Sequence, residues 1–201
     1  VFRDQSVVYR HNEPAVVDAV LTSKDRDGNR SVSVRTRSHR IPTIGDKLSS
    51  RMGQKGVCGQ IVPQSQLPFC PETGLVPDLV VNAHAIPSRM TIGQLIESLS
   101  SLLGCIRGQR RDGTAFSNAE GSDTMTKLGE ALRAAGCHPQ GSRPMMNPST
   151  GERLRATCYL SPTYYQRLKH MVVDKIHARA QGPKSCLNRQ PMEGRSRDGG
   201  L

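Results

Sequence analysis

The sequence predicts a mixed α+β fold, on three patterns read along its 201 residues. Near the start, two alternating apolar/polar stretches flank a run of turn formers. The middle is a Gly- and Pro-punctuated region of short apolar pieces. Further on, apolar residues recur at helical spacing behind capping residues.

The first pattern is AVVDAVLT (15–22) and SVSVRTR (31–37), separated by Lys24, Asp25, Arg26, Asp27, Gly28 and Asn29. Both read as strands, the second with strict apolar/polar alternation, and such a turn between them predicts an antiparallel hairpin. From 42 to 91, VCGQIV and LVPDLVV are interrupted by Gly45, Gly53, Gly56, Gly59, Pro63, Pro68, Pro71, Pro77 and Pro87. Long helices cannot form there, and a barrel-like core with many loops is expected. Thr91 with Gln94 reads as a capping box. Ile92, Leu95, Ile96, Leu99, Leu102 and Leu103 follow at helical spacing, with Gly104 as the stop. A second helix is expected from an N-cap at Asp123 through Leu128 and Leu132 to Gly136. Residues 153–160 alternate like a strand, with Leu154, Ala156, Cys158 and Leu160 on one face. After Pro162 a third helix is predicted to reach about Ala180, burying Tyr164, Leu168, Met171, Val172 and Ile176. Residues 182–201 read as a flexible loop.

Composition narrows the function. Lys and Arg number 28 against 17 Asp and Glu, a formal net charge of +11. Hydrophobic residues are 35%, below the ~45–50% of ordinary soluble domains, and aromatics only 3%. Part of the buried surface is therefore expected to belong to a larger assembly. No apolar run approaches the ~18 residues of a membrane span, so no membrane partner is expected. Residues 1–10 carry Arg3, Asp4 and Arg10 and no apolar stretch, so they do not read as a secretory signal. The absence of an initiator Met and the Gly199-Gly200-Leu201 end read as an internal segment of a longer polypeptide. The six cysteines contain no C-x-x-C pair and read as reduced, mostly buried thiols, so no zinc ribbon or redox dithiol is expected. No H-E-x-x-H metalloprotease motif is present.

Three stretches could carry chemistry. In residues 45–56, glycines bracket Lys47 and Lys55, which allows close backbone approach to a phosphate beside two point charges. The same composition also suits a solvated basic turn, and it is not a phosphate loop of the G-x-x-x-x-G-K-[ST] type. Arg89 lies just before a helix start, where amides and dipole favour an anion; pairing with a nearby Asp is the alternative. His84 reads as a hydrogen-bonded core histidine. The third stretch, 187–200, holds Arg189, Arg195 and Arg197, which could follow a nucleic-acid backbone or simply face solvent. So few aromatics argue against base-stacking readers.

GDKLSSRMGQKG (45–56), VPDLVVNAHAIPSRMTIGQLIE (76–97), TYYQRLKHMVVDKIHARAQGP (163–183) and NRQPMEGRSRDGGL (188–201) occur in this order. Together they resemble the second-largest subunit of multisubunit DNA-directed RNA polymerases, with the eukaryotic polymerase II form and large DNA virus versions nearest. The resemblance implies an end of the wall region at 1–41, a hybrid-binding domain on a double-psi β-barrel at 42–186, and a truncated switch-like loop at 187–201. It implies that Lys47 and Lys55 lie near the RNA 3′ end and hybrid, that Arg89 contacts the incoming triphosphate, and that Arg189, Arg195 and Arg197 touch hybrid and template.

The implied activity is template-directed nucleotidyl transfer, with DNA template, RNA transcript, NTPs, the largest subunit and other polymerase subunits as partners. No catalytic residue is expected in this chain and the fragment alone is expected to be inactive. Mg²⁺ would be held by an Asp cluster of the largest subunit, none by this segment, and a zinc site would lie beyond Leu201. Location would be the nucleus, or host cytoplasm or virion if viral. Met52 in place of a common His, Val173 in place of an acidic residue and Ala83 in place of Pro read as a divergent, viral or protist lineage. The rival expectation is a non-catalytic basic nucleic-acid-binding module.

Overall fold

Alternation and turn chemistry produce the first element pair. In a computed structural model that describes residues 6–9, 11, 13–117 and 123–200, β1 (Val16–Lys24) pairs antiparallel with β2 (Arg30–Arg37). The Asp25 amide donates to the Asn29 carbonyl at 2.8 Å and the Gly28 amide to the Asp25 carbonyl at 2.9 Å. Gly28 sits at φ +80°, where a Cβ would be strained. The register shifts between Val17 and Ala19, and Asp18 at that irregularity pairs with Arg35 at 2.7 Å. Val16, Val17, Val20, Leu21, Val32 and Val34 are all exposed. This hairpin belongs to one of two units, Val1–Pro42; the other is Thr43–Leu201. The expectations for residues 1–5, 10 and 201 concern positions outside the described residues.

The second unit contains a three-stranded antiparallel sheet in the order β4 (Gly56–Val57), β3 (Lys47–Ser50), β7 (Tyr165–Arg167). A one-turn helix, α1 (Ala85–Arg89), precedes α2 (Ile92–Arg107), and α3 (Thr124–Ala134) packs against α2. Leu99, Leu102 and Leu103 of α2 meet Leu128 and Leu132 of α3 in the main apolar cluster. A two-stranded ladder joins β5 (Ser142–Arg143) to β6 (Cys158–Tyr159). A short helix, α4 (Val172–Lys175), follows β7. The fold is mixed α+β, and no helix among the described residues is long and apolar enough to cross a membrane.

Several expectations are corrected. Helix α2 runs through Gly104 and stops at Gly108, which takes φ +62° and donates to the Gly104 carbonyl. Gly104 is needed for another reason: a Cβ there would lie 3.0 Å from the Gln109 carbonyl oxygen as the chain folds back. Thr91 and Gln94 do not close a capping box. The Thr91 hydroxyl accepts from Gln54, and the Gln94 amide oxygen accepts from Ser50 at 3.3 Å. The 153–160 strand is broken, with Arg153 bridging Met146 and only Cys158–Tyr159 forming a ladder; Ala156 is exposed.

No helix spans 163–180. Residues 165–167 instead fill the free edge of β3, pairing Leu48 with Arg167 and Ser50 with Tyr165, which satisfies backbone groups on both chains. Tyr164 and Ile176 are exposed rather than inward. His84 is exposed at the start of α1. Of the six thiols only Cys70 is buried, Cys105 and Cys186 being exposed, and all six are free. The loop at 182–200 carries its own backbone hydrogen bonds. Lys184 bridges Pro191, and the Gly200 amide donates to the Met192 carbonyl at 2.7 Å.

Candidate nucleic-acid interface

Lys47 opens β3 directly after a buried carboxylate. Asp46 is 1% exposed and accepts from the Thr43 amide at 3.2 Å, the Val172 amide at 3.1 Å and the Arg167 guanidinium at 2.6 Å. The Val172 amide is the largest influence on its titration, joined by Thr43 and Arg167. Together they outweigh burial and hold the carboxyl below its ordinary value. Asp46 thus fastens the root of β3 to β7 and to the first amide of α4.

In the ladder Lys47 faces Val57 and Leu48 faces Gly56. Cross-strand partners project to the same face, so the Lys47 and Val57 side chains share one, and Lys55 lies two residues before Val57. The connection between the strands is pinned. The Arg51 guanidinium pairs with Glu97 at 2.8 Å and lies 4.9 Å from the centre of the Tyr164 ring. Gly53 takes φ +75°, and the Lys55 amide donates back to the Gly53 carbonyl at 2.9 Å.

Between the two glycines, Gln54 is only 4% exposed. Its amide nitrogen donates to the Ala85 carbonyl at 3.1 Å and to the Thr91 hydroxyl, and its amide oxygen accepts from Arg89 at 2.6 Å. The same Arg89 nitrogen reaches the Lys55 carbonyl at 3.4 Å. Arg89 is the last residue of α1, where the helix dipole suits a cation, and Met90 turns the chain through φ +51° into α2. The sequence alternative of an Arg89–Asp pair is not what forms. No carboxylate pairs with Arg89 among the described residues, and the ammonium groups of Lys47 and Lys55 have neither hydrogen-bond nor ion-pair partners there.

The structure thus brings Arg89 against the backbone of Lys55, and the β3–β4 ladder brings in Lys47. It does not join the arginines of 187–200 to them by any hydrogen bond or ion pair among the described residues. Arg195 is committed elsewhere, donating to the Val173 carbonyl at 2.8 Å and to the Asp174 carbonyl. Arg189, at φ +56°, and Arg197 present exposed side chains without such partners. The residue that sequence reasoning missed is Gln54; a Gln between a glycine and a cation is the only local sign of it. No group of three His, Cys, Asp or Glu side chains suited to a metal ion occurs among the described residues.

A buried amide that orients an arginine beside a glycine-flanked lysine suits oxyanion binding. The family model described as RNA polymerase Rpb2, domain 6, matches residues 1–197. The chain belongs to the RNA polymerase Rpb2 domain 6 family. DNA-directed RNA polymerase II subunit 2 of Arabidopsis thaliana is 51% identical over 199 residues, 99% of this chain and 16% of that protein. DNA-directed RNA polymerase III subunit RPC2 of Saccharomyces cerevisiae is 45% identical over 200 residues, 100% of this chain and 17% of that protein. DNA-directed RNA polymerase subunit Rpo2 of Saccharolobus solfataricus is 44% identical over 199 residues, 99% and 17%. The chain therefore spans about a sixth of the length of the curated relatives it matches. As an Rpb2 domain 6 member, it is similar to cellular second subunits of more than one polymerase class.

Proposed function

We propose that this chain is part of the catalytic core of a DNA-directed RNA polymerase, where it positions the RNA 3′ end, the RNA–DNA hybrid and the phosphates of the incoming NTP. The observation that carries this is the Arg89–Gln54–Lys55 arrangement. A buried amide fixes one guanidinium nitrogen at 2.6 Å, leaving the rest of the fork for a bidentate phosphate contact. Lys47 and Lys55, whose ammonium groups are unpaired among the described residues, neutralise hybrid and transcript-end phosphates. Arg89 meets the β- and γ-phosphates as charge builds toward pyrophosphate during in-line attack by the 3′ hydroxyl. Mg²⁺ would be held by the largest subunit and would supply charge stabilisation there; no step is assigned to a metal on this chain.

The β4–β3–β7 sheet is read as one part of a double-psi β-barrel, residues 1–41 as the end of the wall and 187–201 as a switch-like loop. Arg189 and Arg197 remain as hybrid or template contacts, while Arg195 ties the loop to α4. Partners are DNA, RNA, NTPs, the largest subunit and the other polymerase subunits. The eukaryotic polymerase II relative favours a nuclear location, and the similar relatives give the viral alternative no support. A stand-alone basic module is not favoured, because the likeness to polymerase subunits covers the whole chain.

Single-nucleotide extension by a reconstituted polymerase tests the reading. Arg89→Ala is expected to slow incorporation by about 10²–10³ while the hybrid stays bound. Lys55→Ala should weaken both incorporation and hybrid retention. Normal extension rates in both variants would reject it.

A further inference from the structure

Away from this interface, a cavity of about 1200 Å³ opens between the C-terminal half of α2, the turn after α3, β5 and residues 153–157. One wall is apolar, from Leu102, Ile106 and Ala135; Arg143, Arg153 and Arg155 line the cavity with a single carboxylate, Glu72. Arg143 decides the reading. It is only 9% exposed, and its guanidinium stays charged at any ordinary pH. Its guanidinium donates to Cys137 Sγ at 3.8 Å, and it is one of the groups that lower the pKa of the buried Cys70 thiol, after the hydrogen bonds from Thr73 and Glu72. No Asp or Glu pairs with it among the described residues. A cation removed from water without a counter-charge is costly, and such groups are normally paired. The position is also built rather than incidental. Gly141, at φ +71°, lets the chain pass so close to Leu99 and Tyr159 that a Cβ would come within 2.8 Å of both. That passage leads directly into β5, which carries Arg143.

We propose that this cavity binds a small phosphorylated anion, with Arg143 as the buried anchor, Arg153 and Arg155 as further cations, and the Leu102–Ile106–Ala135 wall against any organic portion. Three guanidinium groups against one carboxylate favour a multiply charged phosphate over a single carboxylate. The apolar wall and the volume suit a ligand of nucleotide size. This inference does not rest on the proposed function, since none of its residues belongs to the Lys47–Lys55–Arg89 arrangement.

Cys137 lines the cavity and is half-buried, so it reports occupancy in the assembled polymerase. Its alkylation by iodoacetamide would be followed by peptide mass spectrometry with inorganic tripolyphosphate as the probe, against chloride at equal ionic strength. With the probe at about ten times its Kd, alkylation of Cys137 is expected to slow about tenfold. The exposed Cys105 and Cys186 should be unaffected. Arg143→Met should abolish the protection. The Arg153→Met/Arg155→Met pair, at exposed positions, should weaken it and keeps the test independent of any folding defect. Nucleotide addition should be unchanged in the double variant, which separates this outcome from that of the Arg89 experiment. Several results would overturn the proposal. One is no protection at millimolar probe, as expected if a Cys70 thiolate already serves as the counter-ion. Others are equal protection by chloride, undiminished protection in the variants, or a Cys137 sealed by another part of the assembly.

Discussion

Asp46 shows how one side chain sets the geometry beneath the cations. Its carboxylate joins Thr43, Arg167 and Val172 across as many as 126 positions of sequence. Hydrogen bonds led by the Val172 amide hold its pKa below the ordinary carboxylate range. Because the folded pKa is the lower one, the stability it contributes is complete above the unfolded pKa and is lost as pH falls through the folded one. Urea midpoints measured from about pH 6 down to about pH 2 should fall below about pH 4. Asp46→Asn should be less stable at neutral pH and flatter over that range; an unchanged acid limb would contradict this role. At this scale Lys47, Lys55 and Arg89 can be singled out in the sequence as cations near glycines or a helix start, but the hydrogen bonds of Arg89 to Gln54 and to the Lys55 carbonyl cannot. Gln54 is not legible, because an amide acquires its role only from partners at Ala85, Arg89 and Thr91.

Helices α2 and α3 were readable because an apolar stripe at 3.6-residue spacing has one way to be buried. The Asp123 cap is as expected, its carboxylate accepting from the Met125 amide at 3.0 Å. Leu103, fully buried at 0% exposure, lies at the centre of that packing. Leu103→Ala should cost about 2–5 kcal/mol, read as a lowered urea midpoint with the slope unchanged. A loss no larger than that of a surface substitution would show that the two helices do not share a core. The C-terminal third misled in the opposite direction. Residues 163–180 carry a helical apolar spacing, yet β3 offers an unpaired edge and Asp46 an acceptor for the Val172 amide. Within that stretch only the single turn of α4 (Val172–Lys175) is helical. Gly104 was misread for a related reason: a glycine can mark a close approach as well as a stop.

Across the whole molecule, the +11 charge is not spread evenly over function. Arg35 and Arg51 are paired with carboxylates, and Arg195 with main-chain carbonyls. The side chains of Lys47, Lys55, Arg189 and Arg197 have no hydrogen-bond or ion-pair partners among the described residues. On the proposed function, hybrid binding should weaken with salt, each neutralised phosphate adding about −0.7 to −0.9 to the log–log slope. In a salt titration of hybrid binding by the polymerase, Arg197→Gln should reduce the slope by about that amount. Arg195→Gln should leave the slope alone and lower stability instead; the reverse pattern would exchange the two assignments. Sequence by itself determined the family, the basic character, the hairpin and the two long helices, since composition, ordered motifs and local periodicity survive without three-dimensional context. Only the tertiary structure decided where the strands of the C-terminal third pair, which arginines are consumed by carbonyls and carboxylates, and that Arg143 is buried with no carboxylate partner among the described residues. Those outcomes depend on partners tens of residues away, and no local pattern encodes which distant group will arrive.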